Sequence, residues 1–242
     1  MKHEQQKIII IGATSGIGRE LARIYASNGW RVGATGRRLN LLLSLQDEFP
    51  DNIFIECFDV TGKENIPHFQ TLIEKLEGFD ILVYNSGYGE PSKELDWEIE
   101  NKTVGINVNG FVEIVCYGFN YLINQGHGQI ACTSSIASIR GNRMAPAYSA
   151  AKAFESTYME GLYLKAKRLQ KNVAITDIQP GFVNTHMIKR ERKFWVAPAE
   201  KAAAQIFRAI QKKKKKAYIT KRWAVVAWLL KYMPGSIYNR FG

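Results

Sequence analysis

Short apolar runs alternate with longer amphipathic segments along this 242-residue chain. Residues 7–12 and 79–84 are apolar at nearly every position, which is typical of parallel strands buried on both faces. Further strand-like runs cover residues 30–35, 52–58, 128–133, 172–178 and 217–220. Helical spacing occupies the intervals at residues 17–28, 39–49, 63–77, 95–124, 148–169 and 198–213.

This order predicts an α/β, doubly wound (Rossmann) fold, with a parallel sheet of about seven strands and helices on both faces. The length fits one domain, and no linker or internal repeat divides the chain. We therefore expect a single domain over residues 1–242, with a catalytic core at about 7–220 and a basic, apolar extension at about 221–242. Ligands of such sheets bind beyond the carboxyl ends of the strands.

A glycine-rich turn connects the first strand to the first helix. Glycines permit a tight turn and a close approach to a pyrophosphate, and the helix N-terminus supplies N–H groups and partial positive charge. The alternative is a purely structural turn. We predict dinucleotide binding, with contacts from Gly12, Thr14, Ser15, Gly16, Ile17 and Gly18.

Two arginines, Arg37 and Arg38, follow the second strand, and no Asp or Glu lies between Glu20 and Asp47. Dinucleotide folds that bind NAD use an acidic residue in this region to hold the ribose 2′-hydroxyl. Guanidinium groups instead attract a 2′-phosphate and can bond it in a fork. The sequence thus favours NADP(H) over NAD(H), a solvated basic loop being the alternative.

Tyr148 and Lys152 are four positions apart at the start of a helical segment, so their side chains share one face. A neighbouring ammonium stabilises a phenolate and lowers the pKa of a tyrosine, which makes that tyrosine usable as an acid or base. An ordinary surface pair is the alternative interpretation.

The spacing from Gly12 to Gly18 resembles the TGxxxGxG motif of the short-chain dehydrogenase/reductase family, with Ile11 at the position of the threonine. Tyr148 and Lys152 resemble the YxxxK motif of that family. Ser135 matches its catalytic serine, and Ser134 is the nearby alternative. Asn107 matches the helix-breaking asparagine that the family uses to position a water in a proton relay.

Three further segments carry the resemblance, which runs from about residue 7 to residue 220. Asp59 and Val60 resemble the pair that contacts the adenine ring, although a turn-capping Asp is an alternative. Residues 85–87 (Asn85, Ser86 and Gly87) resemble the NNAG segment over the cofactor ribose, with departures at Tyr84 and Ser86. A last segment resembles PGxxxT, which contacts the nicotinamide and the phosphate, through Pro180, Gly181, Val183 and Thr185.

The resemblance implies an NADP(H)-dependent oxidoreductase that interconverts a carbonyl and an alcohol by hydride transfer. Tyr148 would donate the proton, Ser135 would hydrogen-bond the substrate oxygen, and Lys152 would hold the nicotinamide ribose and bias Tyr148. Tyr148 and Lys152 thus count among the cofactor contacts as well. No metal is expected, because the four histidines form no ligand cluster. A non-catalytic NADP(H)-binding sensor or scaffold on the same fold is the alternative.

The net charge of +11 admits a nucleic-acid partner, but no helix-turn-helix, RNA-recognition or zinc-finger pattern accompanies it, so none is expected. We expect a small, hydrophobic or anionic carbonyl or alcohol substrate. Its identity would depend on residues 186–196, which contain His186, Phe194 and Trp195. The apolar run near the N-terminus is too short for a signal peptide, which favours a cytoplasmic location. We also expect a homodimer or homotetramer.

The C-terminal extension is basic and apolar. The lysine run Lys212–Lys216 precedes a short strand, and an apolar stretch from Trp223 to Leu230 follows it. This stretch is too short to span a bilayer. It could make peripheral contact with a membrane interface through its tryptophans and lysines. We favour instead the packing of this helix on its own domain or on a partner subunit.

Overall fold

The computed structural model describes residues 5–185 and 195–240. These residues form a seven-stranded sheet in the order β3-β2-β1-β4-β5-β6-β7, and every neighbouring pair is parallel. The strands are β1 (Lys7–Ile11), β2 (Arg31–Gly36), β3 (Ile53–Cys57), β4 (Ile81–Tyr84), β5 (His127–Thr133), β6 (Asn172–Pro180) and β7 (Lys216–Ile219). The doubly wound sheet predicted from the sequence is confirmed.

Helices cover both faces of the sheet. The core on one face joins apolar residues of α1, α2 and α7, and the core on the other face joins those of α3, α5 and α6. Their bounds are α1 (Gly16–Ser27), α2 (Leu39–Glu48), α3 (Asn65–Leu76), α4 (Trp97–Val104), α5 (Phe111–Gln125), α6 (Pro146–Arg168), α7 (Ala199–Gln211), α8 (Trp223–Tyr232) and α9 (Gly235–Tyr238).

Strand β1 explains why the run at its position is apolar throughout. Ile8 and Ile10 enter one core, Ile9 and Ile11 enter the other, and none of the four is exposed to solvent. Full burial on both faces requires this composition. The strand order reverses between β1 and β4, which opens a crevice at their carboxyl ends.

The helix predicted at residues 95–124 is interrupted. Helix α4 begins at Trp97, a π-helical turn covers Gly105–Gly110, and α5 then continues to Gln125. Glycines at both ends of the turn, Gly105 and Gly110, allow the backbone to widen and to approach its neighbours. A side chain at Gly110 would collide with the carbonyl oxygen of Val60.

Helix α8 packs its inner face against the strand ends. Trp223 and Ala227 are buried there in contact with Ile136, which follows β5. The outer face carries Val225, Trp228, Leu229 and Tyr232, which are between 48% and 64% exposed. Within residues 5–185 and 195–240, no helix is both long enough and apolar enough to cross a membrane.

The chain beyond α8 returns to the loop after β5. Arg140 donates a hydrogen bond from Nη1 to the Met233 carbonyl (3.1 Å), and its guanidinium lies 4.5 Å from the ring centre of Tyr238. The Tyr238 hydroxyl donates to the Gly141 carbonyl. Residues 186–194, most of the predicted substrate loop, lie outside the described residues.

Candidate active site

The glycine-rich turn packs too closely for side chains. Gly12 has φ +90°, and a Cβ there would lie 2.7 Å from the Ser86 backbone nitrogen. A Cβ at Gly18 would collide with the Gly12 carbonyl oxygen. Gly16 has φ +56° and faces Thr185, whose Cγ2 would lie 2.9 Å from a Cβ. The turn from Gly12 to Gly18 therefore presents backbone atoms to a ligand, and we call it the phosphate cradle.

Positive charge gathers at this cradle. Ser15 is the N-cap of α1 but makes no side-chain capping bond, and no acidic residue lies in the first turn. Arg38 donates from Nη2 to Thr14 Oγ1 (2.6 Å) and Ser15 Oγ (2.7 Å). The N–H groups and the dipole of this helix N-terminus fit the pyrophosphate of a dinucleotide, and the Arg38 guanidinium lies beside them. Ile17 is buried behind them.

Arg37 and Asp59 meet across the ends of β2 and β3. Arg37 Nη1 lies 3.3 Å from Asp59 Oδ2, and Asp59 Oδ1 accepts hydrogen bonds from the Thr61 N–H and hydroxyl. Partial burial opposes ionisation, but the Thr61 bonds and the Arg37 charge lower the pKa of Asp59 below its usual value. Asp59 thus caps the turn at Thr61, and its neighbour Val60 is buried. Contact of this pair with the adenine ring stays a prediction.

The segment after β4 lies between the cradle and α6. Asn85 Nδ2 donates to the Gly12 carbonyl (3.0 Å). A Cβ at Gly87 would lie 3.3 Å from Lys152 Nζ and 3.5 Å from Asn107 Oδ1. Asn85, Ser86 and Gly87 therefore connect the phosphate end of the crevice with the predicted catalytic side chains.

Asn107 lies in the π-helical turn and is fully buried. Its Oδ1 accepts from the Tyr88 N–H (2.9 Å), and its Nδ2 donates to the Tyr88 carbonyl (2.7 Å). The amide therefore fixes the backbone that follows Gly87. Its role in a proton relay is an expectation from the resemblance.

Tyr148 and Lys152 project from the first turns of α6, which begins at Pro146, a residue suited to the first helical position. The Tyr148 ring lies against Gly89, where a Cβ would overlap it. Lys152 Nζ lies 5.9 Å from the centre of that ring. The structure therefore brings Tyr148, Lys152, Asn107 and Gly87 together at one edge of the sheet.

The two adjacent serines have different surroundings. Ser134 Oγ lies within hydrogen-bonding distance of Asp177 Oδ1 and of the Ile178 carbonyl (3.0 Å), both on β6. Ser135 Oγ accepts from the Ala137 N–H (3.1 Å). The Ser134 hydroxyl donates its hydrogen to groups on β6, whereas the Ser135 hydroxyl accepts a hydrogen bond and can still donate its own hydrogen.

Lys152 has a partner that the sequence analysis missed. Both carboxylate oxygens of Glu155 lie 2.9 Å from Lys152 Nζ, and the two side chains are 0% and 3% exposed respectively. A signal was present, because Glu155 lies three residues after Lys152 on the buried face of α6, which continues with the apolar residues Met159 and Leu162. Across the described part of the chain, no group of three His, Cys, Asp or Glu side chains could hold a metal ion.

The turn after β6 closes the other side of the crevice. The Gly181 N–H donates to the Ile219 carbonyl (2.6 Å), and a Cβ at Gly181 would overlap the Trp223 ring. Val183 is buried and pairs with Ala197. The segment from Pro180 to Thr185 thus lies between the phosphate cradle and α8.

Fold and site together define a nicotinamide-dependent oxidoreductase. The profile of the family described as short chain dehydrogenase matches residues 6–195, so the chain belongs to the short-chain dehydrogenase/reductase family. The family resemblance noted from the motifs is therefore confirmed.

Relatives in sequence agree with this assignment, and a solved structure shares the fold. An uncharacterized oxidoreductase of Myxococcus xanthus is 35% identical over 185 residues, 74% of this chain and 72% of the relative. The NADP-dependent 3-hydroxy acid dehydrogenase YdfG of Shigella flexneri is 31% identical over 180 residues, 73% of this chain and 72% of the relative. A short chain dehydrogenase/reductase from Burkholderia phymatum in complex with NAD has the same fold, with TM-score 0.83 and 19% identity over 95% of this chain and 94% of that chain.

Proposed function

We propose that this chain is an NADP(H)-dependent oxidoreductase that interconverts a carbonyl and an alcohol. The observation that carries the proposal is the placement of Tyr148 and Lys152 on one face of α6, beside Gly87 and Asn107 at the carboxyl edge of the sheet. The cofactor, when bound, supplies or accepts the hydride.

The residues at the crevice suit a dinucleotide along its whole length. The backbone cradle and the N-terminus of α1 would hold the pyrophosphate, and Arg37 and Arg38 would hold a 2′-phosphate. Asp59 and Val60 would border the adenine. The nicotinamide end would lie among Asn85, Ser86, Gly87, Tyr148, Lys152, Pro180, Gly181, Val183 and Thr185.

Side chains of the protein would donate and accept the proton of the reaction. In reduction, the Tyr148 hydroxyl donates its proton to the substrate oxygen, and in oxidation it takes that proton back. The Ser135 hydroxyl donates a hydrogen bond to the same oxygen. Lys152 places a positive charge beside Tyr148, which favours the phenolate that forms when the proton leaves.

The two serines provide a paired prediction. Ser135→Ala should lower kcat by about 10²–10³-fold, because one donor to the developing oxyanion is lost. Ser134→Ala should retain most of kcat but lower the free energy of unfolding by about 1–3 kcal/mol, because the buried Asp177 loses a donor. Steady-state kinetics and urea unfolding measure both variants. The opposite pattern, with catalysis lost only in Ser134→Ala, would assign the role to Ser134.

Cofactor choice follows from the arginines. We expect kcat/KM to be higher with NADPH than with NADH by about 10–150-fold, the equivalent of one charge-assisted phosphate bond of about 1.5–3 kcal/mol. The double variant Arg37→Ser/Arg38→Ser should erase most of this ratio. Arg208→Ser removes an exposed arginine on α7, distant from the crevice, and should leave the ratio unchanged. An equal or inverted ratio in the wild-type protein refutes the NADP(H) assignment.

The activity itself is tested by NADPH consumption across aldehydes, ketones and 3-oxo acids, with the matching alcohols and 3-hydroxy acids in reverse. The acids are included because a relative with 31% identity is named for them. NADPH binding without turnover on any substrate would favour the sensor or scaffold alternative.

The remaining expectations complete the proposal. We infer one catalytic unit over residues 1–242, acting in the cytoplasm on a small carbonyl or alcohol compound as a homodimer or homotetramer, without a nucleic-acid partner. Light scattering of the purified protein measures the number of subunits. A monomer would contradict the oligomeric part alone.

A further inference from the structure

Lys152 is held in place by hydrogen bonds inside the protein. An ammonium has three N–H donors, and three acceptors surround Lys152 Nζ: Glu155 Oε1 (2.9 Å), Glu155 Oε2 (2.9 Å) and the Thr133 carbonyl (3.1 Å). Two of these belong to one carboxylate. The position of the ammonium is therefore set chiefly by Glu155.

Burial makes this pairing necessary. A lysine that is 3% exposed would lose its proton readily without a counter-charge, because burial disfavours the ammonium. Against that effect of burial, the carboxylate of Glu155 raises the pKa of Lys152 above its usual value. Burial outweighs the opposing effect of Lys152 and raises the pKa of Glu155 to about 7. The two bonds of 2.9 Å to the ammonium favour the ionised pair above that pH.

The other groups around Glu155 bring no competing cation. Cys132 on β5 donates from Sγ to Glu155 Oε2 (3.5 Å). Asp177 on β6 adds negative charge, but Lys216 lies 3.5 Å from its carboxylate. Tyr84 on β4 donates its hydroxyl to the Ile106 carbonyl. Among these groups, Lys152 alone neutralises Glu155.

We propose that Glu155 is a positioning residue that keeps Lys152 protonated and fixed beside Tyr148. The effect of Glu155 on turnover rests on the proposed function. Glu155 lies behind the ammonium and has no contact with the Tyr148 ring among the interactions described. It would act on the reaction only through Lys152.

The first test uses the protein without cofactor or substrate. In Glu155→Gln, the pKa of Lys152 in the folded state should fall below its unfolded value, so the folded state binds fewer protons than the unfolded state between those two values. Stability of the variant then rises with pH across this window, while the wild-type pair contributes a constant amount there. The difference in Tm between wild type and Glu155→Gln should therefore be about twofold or more larger at about pH 7 than at about pH 10.

The second test follows turnover. Catalysis needs a charged Lys152, and in Glu155→Gln this lysine should lose its proton at a lower pH than in the wild type. The alkaline limb of the pH profile of kcat/KM for carbonyl reduction should therefore move down by about one pH unit or more. Glu155→Leu, which keeps the bulk and removes the charge, should shift the limb in the same direction. Glu160→Gln makes the same chemical change at a 62% exposed site on α6 and should alter neither readout.

The outcomes separate this inference from the proposed function. A Tm difference that is the same at every pH, together with an unmoved alkaline limb, means that Glu155 only fills space and overturns the inference. If the Tm difference between wild type and Glu155→Gln depends on pH while the wild-type protein turns over no substrate, that result supports the Lys152 pairing and refutes the oxidoreductase proposal instead. If Glu155→Gln does not fold, Glu155→Leu carries both measurements.

Discussion

Tyr148→Phe is expected to lower kcat by about 10²–10⁴-fold, the range for removal of a general acid, while NADPH affinity changes by about twofold or less. The substitution keeps the ring that lies against Gly89 and removes only the hydroxyl. Packing and the crevice are therefore preserved, and the proton donor is lost. Steady-state kinetics give kcat, and NADPH fluorescence titration gives the affinity.

Tyr158→Phe is the matched control, because Tyr158 lies on the same helix and packs against Phe111 and Phe154, away from the crevice. It should retain wild-type kcat. If Tyr148→Phe keeps more than about a tenth of the wild-type kcat, Tyr148 is not the acid.

Trp223→Ala is expected to lower the free energy of unfolding by about 3–5 kcal/mol, as for other buried aromatic residues. Trp223 is 6% exposed, its ring fills the space above Gly181, and it packs edge-on against Phe182 at 5.3 Å. Its removal leaves a cavity beside the turn predicted to hold the nicotinamide. Urea unfolding measures the loss, and the KM for NADPH should rise in parallel.

Trp228→Ala makes the same change five residues further along α8, at a site that is 62% exposed. It should alter stability by about 0.5 kcal/mol or less. Equal effects in the two variants would mean that α8 does not hold its inner face against the strand ends. Binding of the wild-type protein to anionic vesicles, lost in Trp228→Ala alone, would assign the outer face to lipid.

The sheet was predictable because strands buried on both faces require nearly continuous apolar runs in the sequence. The apolar run that became β1 and the helical spacing that became α6 both follow from local composition. The ends of elements shifted by one or two residues, since backbone capping and pairing decide them. Helix α6 starts at Pro146 rather than at Tyr148, because proline suits the first turn.

The site was less completely predictable, because its contacts join distant parts of the chain. The motif positions locate Tyr148 and Lys152, but Glu155 matched no motif. The choice between Ser134 and Ser135 depends on Asp177, which lies 43 positions from Ser134 in sequence. The π-helical turn around Asn107 arises where glycines let the backbone approach Val60 closely, and periodicity alone cannot reveal that approach.

The bonds from Arg140 to Met233 and from Tyr238 to Gly141 span 93 and 97 residues of sequence. Contacts of such long range form late when a chain folds as it is synthesised, because one partner emerges from the ribosome long after the other. The sheet and the cradle can assemble before residues 223–238 exist, but the loop that follows Ser135 cannot be held in place until they do. A nascent chain would therefore form the phosphate cradle before Trp223 can pack over Gly181 and before the loop that follows Ser135 is fixed.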